Sequence, residues 1–189
     1  MAGARFRRVT SFLLKYVPTL SGKKPMPMLT TGKTAPSFEL NTTAGGRLAF
    51  EKGLAKGPVL LAFFKVACPT CQYTFPYLER LHRQLQEHGA QIWGIAQDNA
   101  RDTAQFAKTF GVTFPILIDD LPYKTSRAYS LTHVPSLLLV GSDGQIEITS
   151  EGFCKTDLLA IQKSLAQTLS APPAPLFLPS EKIPEYKPG

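Results

Sequence analysis

The sequence predicts an α/β domain in which helices flank a central mixed β-sheet. Apolar runs of strand length alternate with amphipathic stretches of helix length, one of these runs is apolar on both faces, and a strand hairpin closes the series. Helical crossovers join parallel strands whereas a hairpin is antiparallel, so both kinds of pairing are expected. At 189 residues, 43% hydrophobic and 19% charged, the chain has the size and composition of one globular domain.

The first predicted strand is the run PVLLAFF at residues 58–64. It is apolar on both faces, as a parallel strand between two helical layers must be. A helix is predicted after it because apolar residues recur at helical spacing, with one interruption at Pro76. The residues of this pattern are Phe75, Leu78, Leu81 and Leu85.

Two further strands and a second helix are predicted next. The strands are expected at residues 91–97 and 114–119, where apolar runs of strand length recur. Between them, either Asp98 or Asn99 can cap the N-terminus of a helix, and Gly111 is suited to end it.

The predicted domain ends with a hairpin over residues 136–150 and a closing helix over 157–169. The segments on either side of this domain lack sustained periodicity. The N-terminal segment is rich in Lys, Gly and Pro, and the C-terminal segment is rich in Pro. We therefore expect a domain at residues 31–170, preceded by an N-terminal extension at 1–30 and followed by a Pro-rich C-terminal tail at 171–189.

The candidate chemistry lies in a C-x-x-C pair, Cys68 and Cys71, directly after the first strand. Three cysteines cannot build a disulfide scaffold, so the close pair indicates reactivity. A helix beginning near Pro69 gives Cys68 unpaired N–H groups and the positive end of the helix dipole, which favour a thiolate, and Lys65 adds a cation if its side chain turns that way. Such a thiolate attacks a disulfide, and Cys71, one helical turn later, can attack Cys68 and release the product.

A C-x-x-C pair is also half of a zinc site, which needs a second pair of ligands. His82 and His88 are six residues apart, while His133 and Cys154 are isolated, so no metal is expected. We expect Cys154 to pack as a small hydrophobe between sheet and helix, with a position near the active-site rim as the alternative.

Several motifs stand in a consistent order along residues 31–170. They are GKTAPSFEL at 32–40, CPTC at 68–71, Pro76 five residues after the second cysteine, HVP before SLLLV at 133–140, and Gly152. Together they resemble the thioredoxin-like superfamily, and within it the redoxin branch that holds the AhpC/TSA proteins and the thioredoxin-like thiol reductases. CPTC stands at that family's active-site position, and HVP stands at its cis-proline loop.

This resemblance implies a thioredoxin-like fold with an N-terminal β-hairpin extension. It also implies a thiol-disulfide oxidoreductase that reduces protein or small-molecule disulfides, with Cys68 as the nucleophile and Cys71 as the resolving thiol. No cofactor is expected beyond the Cys68–Cys71 dithiol and its disulfide. The substrate-binding residues that the resemblance implies are Val134, Pro135, Pro69 and Thr70.

The sequence departs from the thioredoxin pattern before the first cysteine. Thioredoxins carry a tryptophan directly before this cysteine and a buried acid six residues before it, where this chain has Ala67 and Ala62. The buried acid takes the proton of the second cysteine, so the acceptor is open here. Glu151, a water molecule or a neutral Lys65 are the candidates.

Two other functions stay open at this point. A peroxiredoxin-like peroxidase would reduce hydroperoxides through a sulfenic acid on Cys68. Peroxiredoxins carry the motif Pro-x-x-x-Thr-x-x-Cys around their peroxide-attacking cysteine. At the proline and threonine positions this chain has Leu61 and Lys65, which weakens the prediction of a peroxidase. A non-catalytic thioredoxin-like module would instead bind peptides in the groove at Val134 and Pro135.

Charge and hydropathy restrict the expected partners. The formal net charge of +7 is modest and its cations are concentrated near the start of the chain, so we expect no nucleic acid. No run approaches the ~18 apolar residues of a membrane span. Without a convincing signal peptide, a cytoplasmic location is expected, with a periplasmic or membrane-associated one left open. The expected partners are a protein or low-molecular-weight thiol/disulfide substrate and a reductase that recycles the dithiol.

Overall fold

The fold is taken from a computed structural model that describes residues 27–189. Most of the expected N-terminal extension, residues 1–30, lies outside the described residues. Within the described part, no helix combines the length and the apolar character needed to cross a membrane.

Within residues 27–189, the main sheet has seven strands, and five α-helices accompany it. The strands are β1 (Glu39–Thr42), β2 (Arg47–Ala49), β3 (Val59–Phe64), β4 (Gln91–Ala96), β5 (Ile116–Ile118), β6 (Ser136–Val140) and β7 (Ile146–Glu151). The helices are α1 (Phe50–Leu54), α2 (Pro69–Leu85), α3 (Ala100–Phe110), α4 (Lys124–Ala128) and α5 (Lys155–Thr168). Two short strands, β8 (Phe153–Cys154) and β9 (Tyr186–Lys187), form a separate pair.

The strand order is β2-β1-β5-β4-β3-β6-β7. Strands β3, β4 and β5 are parallel to one another, while β1, β2, β6 and β7 pair antiparallel with their neighbours. The predicted mixed sheet is therefore confirmed, and the β1–β2 hairpin is the N-terminal hairpin that the family resemblance implies.

Strand β3 separates two apolar cores, and all six of its residues are buried. Leu60, Ala62 and Phe64 face a core shared with α2, α3 and α5. Their neighbours along the strand face a second core that includes Phe50 of α1 and Trp93 of β4. Full burial of a large apolar side chain contributes about 1.5–3 kcal/mol, so this strand fixes the centre of the sheet.

Helix α2 is fixed at both its start and its middle. It begins after Cys68 with a proline at the first helical position, where no N–H partner is required. In its middle, the buried Glu79 carboxylate accepts the backbone N–H of Thr113 at 2.8 Å and its hydroxyl at 2.7 Å, and pairs with Arg83 at 2.7 Å. Pro76 lies inside the helix, as the interrupted pattern predicts.

The elements after α2 follow the predicted order with small differences in their limits. Asn99, rather than Asp98, caps α3: its side-chain oxygen accepts the N–H of Asp102 at 2.9 Å, and the helix ends at Gly111. The third strand is shorter than the predicted 114–119. Helices α1 and α4 and the strand pair β8–β9 are additions to the predicted elements.

The Pro-rich tail folds back along α2. Leu176 is buried against the core, and the Arg80 guanidinium binds both carboxylate oxygens of Glu181, at 2.8 and 2.7 Å. These contacts anchor the tail, and its last part pairs as β9 with β8.

Candidate active site

Cys68 lies between the start of α2 and the loop that precedes β6. Its sulfur caps the helix by accepting the backbone N–H of Cys71 at 3.3 Å. Its thiol also donates to the carbonyl oxygen of Val134 at 3.3 Å. The side chain is half-buried, so one sulfur atom touches both the helix end and the loop while keeping some access to solvent.

Cys71 lies one turn further along α2 and is completely buried. Burial raises the pKa of the Cys71 thiol far above its ordinary value, because a thiolate there would lose its hydration. The backbone of Lys65 acts in the opposite direction, whereas Cys68 and the charge of Asp98 raise the pKa further. Cys71 is therefore held as a neutral thiol at neutral pH.

The loop opposite the cysteines contains the residues that the resemblance implies for the substrate groove. The Val134–Pro135 peptide bond is cis. The Pro135 carbonyl accepts the N–H of Gly152 at 2.8 Å, and the Ser136 hydroxyl donates to the His133 carbonyl at 2.8 Å. The first hydrogen bond joins the loop to the end of β7, and the second lies within the loop. Gly152 closes this side of the site with a φ of +73° that favours glycine.

Two side chains hold the segment between β3 and Cys68. The Asp98 carboxylate accepts the backbone N–H of Val66 at 2.8 Å, and the Gln72 side-chain amide donates to the Val66 carbonyl at 2.9 Å. Both polar groups of the Val66 backbone are thus satisfied two residues before the first cysteine. The sequence indicates Asp98 only as a candidate helix cap. The missed signal is that it lies two residues after the end of β4, the parallel neighbour of β3, so both strand ends meet at one edge.

The other predicted site residues occupy different surroundings. Pro69 is exposed, whereas Thr70 is buried and its hydroxyl donates to the carbonyl of Pro188 at 2.6 Å. Lys65 is exposed, with its ammonium group 6.0 Å from the centre of the Tyr123 ring, so its side chain is turned toward that ring.

Cys154 lies in β8, where it is half-buried and pairs in register with Tyr186 of β9. Burial is the main cause that raises its pKa. Cys154 is therefore not fully enclosed in the interior as expected, and its backbone pairs with the short strand contributed by the tail.

Other possible sites lie away from the cysteine pair. Across residues 27–189, no group of three or more histidine, cysteine or acidic side chains is arranged to hold a metal ion. A cavity of about 560 Å³ lies between the end of α2, α5 and the tail, lined by residues that include Gln84 and Gln162. It is at the opposite end of α2 from the cysteines, and the disulfide chemistry does not involve it.

Comparison with known proteins identifies the family. The model of the AhpC/TSA family matches residues 31–149, which is more than half of the chain. This chain belongs to the AhpC/TSA family. The match contains the cysteine pair and the Val134–Pro135 loop, and it confirms the resemblance to the redoxin branch of the thioredoxin-like superfamily.

Individual relatives agree with the AhpC/TSA assignment. The thiol-disulfide oxidoreductase ResA of Halalkalibacterium halodurans is 29% identical over 116 residues, which are 61% of this chain and 65% of ResA. The match therefore spans just under two thirds of that relative's length.

Solved structures share the fold of this AhpC/TSA chain. The thioredoxin domain of a thiol-disulfide oxidoreductase from Bacteroides vulgatus has a TM-score of 0.65 at 20% identity, covering 72% of this chain and 99% of that one. The peroxidoxin BcpB of Mycobacterium tuberculosis has a TM-score of 0.62 at 22% identity, covering 75% and 97%. Thioredoxin-like architecture is thus confirmed, and proteins named as a thiol-disulfide oxidoreductase and as a peroxidoxin share it.

Proposed function

We propose that this chain is a thiol-disulfide oxidoreductase that reduces disulfides through the Cys68–Cys71 pair. The observation that carries the proposal is the position of the Cys68 sulfur, which accepts an N–H at the start of α2 and contacts the Val134 carbonyl. The relationship to ResA supports the same class of reaction.

The reaction follows from thiol-disulfide exchange. The Cys68 thiolate attacks one sulfur of the substrate disulfide, so that a Cys68–substrate bond forms and the other substrate sulfur leaves and takes up a proton. Cys71 then attacks the Cys68 sulfur, the bond between Cys68 and the substrate breaks, and the proton that Cys71 loses is taken up by the departing substrate sulfur, which leaves as a thiol. Two electrons have passed from the dithiol to the substrate, and a Cys68–Cys71 disulfide remains for a thiol reductase to reduce.

The two cysteines are suited to different steps of this sequence. Cys68 is the half-exposed residue of the pair, so a substrate disulfide can reach it. Cys71 is buried and kept as a neutral thiol, so it does not compete for the first attack.

We assign the groove for the substrate chain to the loop at Val134 and Pro135 together with Pro69 and Thr70 at the start of α2. The Val134 carbonyl lies beside the Cys68 sulfur, and an extended segment placed there would gain backbone hydrogen bonds as in strand addition. Protein disulfides and low-molecular-weight disulfides both contain the reacting group.

Reduction of insulin disulfides by the reduced protein tests the proposal. We expect turnover by the wild type in the presence of dithiothreitol and its loss in Cys68→Ser, because the attacking sulfur is gone. Cys71→Ser should form a mixed disulfide with a substrate but release it slowly, which mass spectrometry of the intact protein detects.

Cys154→Ser is the matched control, since it removes the third thiol and should leave turnover unchanged. Equal rates for wild type and Cys68→Ser would contradict the proposal. Binding of a peptide without turnover would instead indicate the non-catalytic binding module that the sequence left open.

Membership of the AhpC/TSA family favours peroxide reduction as a second candidate function. In that case Cys68 would become a sulfenic acid and Cys71 would condense with it to give the disulfide and water. Lys65, which replaces the peroxiredoxin threonine, is turned toward Tyr123 and supplies no hydroxyl for the peroxide. Stopped-flow oxidation with hydrogen peroxide distinguishes the candidates, and we expect slow oxidation that does not saturate.

A further inference from the structure

The groove beside Cys68 is already occupied by residues 185–189, which we call the covering segment. Its strand β9 pairs antiparallel with β8, with Lys187 opposite Phe153 and Tyr186 opposite Cys154. The pairing continues one residue further, where the Lys155 N–H donates to the Glu185 carbonyl at 3.0 Å.

Beyond β9 the covering segment crosses the start of α2. The Thr70 hydroxyl, two residues after Cys68, donates to the Pro188 carbonyl at 2.6 Å. Thr70 is buried although it lies in the first turn of the helix, and the segment is what contacts its hydroxyl. The Lys187 ammonium group also lies 5.1 Å from the centre of the Tyr73 ring on the same helix.

The segment then reaches the loop that carries Val134. A Cβ atom added to Gly189 would lie 2.5 Å from the Val134 carbonyl oxygen, the oxygen that accepts the Cys68 thiol. A Cβ added to Gly152 would clash with the carbonyl of Lys187. Two glycines, one in the segment and one in the wall of the groove, therefore permit a close backbone approach.

The covering segment is held near the groove by the anchored part of the tail. Leu176 is buried, and the Arg80–Glu181 ion pair has two short hydrogen bonds. A segment tethered a few residues away has a high effective concentration at its site, so weak contacts are enough to keep it bound.

We propose that the covering segment competes with extended polypeptide substrates for the groove at Val134, so that this chain discriminates against protein disulfides and in favour of small ones. The proposal rests on the proposed function, because it assigns the substrate class of the same site. A polypeptide that pairs with the loop needs the space of Pro188 and Gly189. A small disulfide needs access only to Cys68, which is half-exposed.

The covering segment lowers the apparent affinity for a protein substrate because such a substrate binds only while the groove is free. The apparent affinity is the intrinsic affinity multiplied by the fraction of time for which the groove is free. A substitution that displaces the segment restores this affinity and leaves reactions that bypass the groove nearly unchanged.

Gly189→Leu is the displacing variant, since its side chain meets the Val134 carbonyl. We expect the rate of insulin reduction at low substrate concentration to rise about fivefold or more, while the rate with oxidised glutathione stays within about twofold. Ser180→Leu, at an exposed position of the tail away from the groove, is the matched control and should change neither rate. A Gly189→Leu variant with an unchanged rate ratio overturns the proposal.

A charge exchange gives a second, reversible test. The Lys155 ammonium and Glu185 carboxylate form a 2.7 Å ion pair at the base of the covering segment. Glu185→Lys places like charges there and should raise the insulin rate, and Lys155→Glu combined with Glu185→Lys should return it toward the wild-type value. Failure of the double variant to reverse the increase counts against the proposal.

Alkylation of Cys68 separates this proposal from the proposed function because it requires no turnover. A bulky maleimide-labelled peptide should react faster with Gly189→Leu than with wild type, and a synthetic peptide of residues 183–189 should slow it again. Iodoacetamide should react with both proteins at similar rates. If the bulky reagent does not distinguish them, the segment does not cover the groove, whether or not the protein reduces disulfides.

Discussion

The two cysteines at the start of α2 occupy opposite environments although only two residues separate them. Cys68 lies outside the first helical turn, half-exposed, and contacts backbone groups of the helix and the Val134 loop. Cys71 lies inside the helix, has no exposed surface and belongs to the apolar core with Phe75 and Leu78. The comparison shows that one helical turn suffices to separate an accessible sulfur from a protected one.

This difference has a physical origin in the way the helix is placed. Residues on the inner face of α2 pack against β3, so the chain enters the core within one turn of Cys68. The Asp98 and Gln72 side chains fix the preceding loop, and this keeps Cys68 at the surface edge. Distinct roles for two identical side chains thus follow from burial.

Alkylation of the reduced protein is expected to give the largest contrast. Iodoacetamide should modify Cys68 at neutral pH on the order of a hundredfold faster than Cys71, because only an accessible thiolate reacts. Mass spectrometry of proteolytic peptides over time measures both rates. Comparable rates at the two sites would remove the basis of the comparison, and the Cys154 peptide serves as an internal reference.

The pH dependence of stability sharpens the comparison for Cys71. Its pKa is raised in the folded state, so the unfolded chain loses this proton first as the pH rises through about 9. The contribution of the neutral buried thiol is fully present below that pH and is lost above it, by up to about 1.4 kcal/mol per pH unit.

Urea denaturation of the reduced wild type and of Cys71→Ala between pH 7 and 10 measures this effect. We expect the difference in free energy of unfolding between the two proteins to shrink above pH 9. Burial also raises the pKa of Tyr129, but that residue is present in both proteins and its effect cancels. Parallel pH profiles would show that Cys71 is not the protected group described here.

Substitution of Asp98 should have the smallest effect of the three. Asp98→Ala leaves the Val66 N–H without its acceptor and should lower the free energy of unfolding by about 1 kcal/mol. Asp98→Asn keeps an acceptor oxygen and should lower it less, while removing a charge that raises the Cys71 pKa. Denaturation measures the first effect, and the rate of Cys71 alkylation at pH 9, which should increase in Asp98→Asn, measures the second. An Ala variant as stable as the Asn variant would contradict the anchoring role.

Much of the fold could be predicted from the sequence because its signals are local. The predicted strand at 58–64 and the observed β3 differ by one residue, since burial on both faces leaves an uninterrupted apolar run. The start of α2 could be placed from the proline after Cys68, and Gly111 ends α3 as its position indicates. Each of these features depends on residues that are neighbours in the chain.

The features that were missed depend on residues far apart in sequence. Asp98 acts on Val66 through a contact across 32 positions, and no periodicity marks it. Strand β9 is two residues long and pairs through its backbone, so its side chains carry no strand pattern. Helices α1 and α4 have five residues each, too few for a helical period to be recognised. The expected cytoplasmic location and the domain limits stay predictions.

The β1–β2 hairpin has a consequence for the behaviour of the chain at high concentration. Strand β5 is buried along its whole length, and on one side its backbone pairs with β1 through Leu117 and Ile118. Without the hairpin, this apolar strand would offer unpaired N–H and C=O groups to another molecule, which is a common route to intermolecular strand pairing. With the hairpin in place, the outermost strand on this side is β2, which is three residues long and begins at the exposed Arg47. So short a strand is a poor template for aggregation.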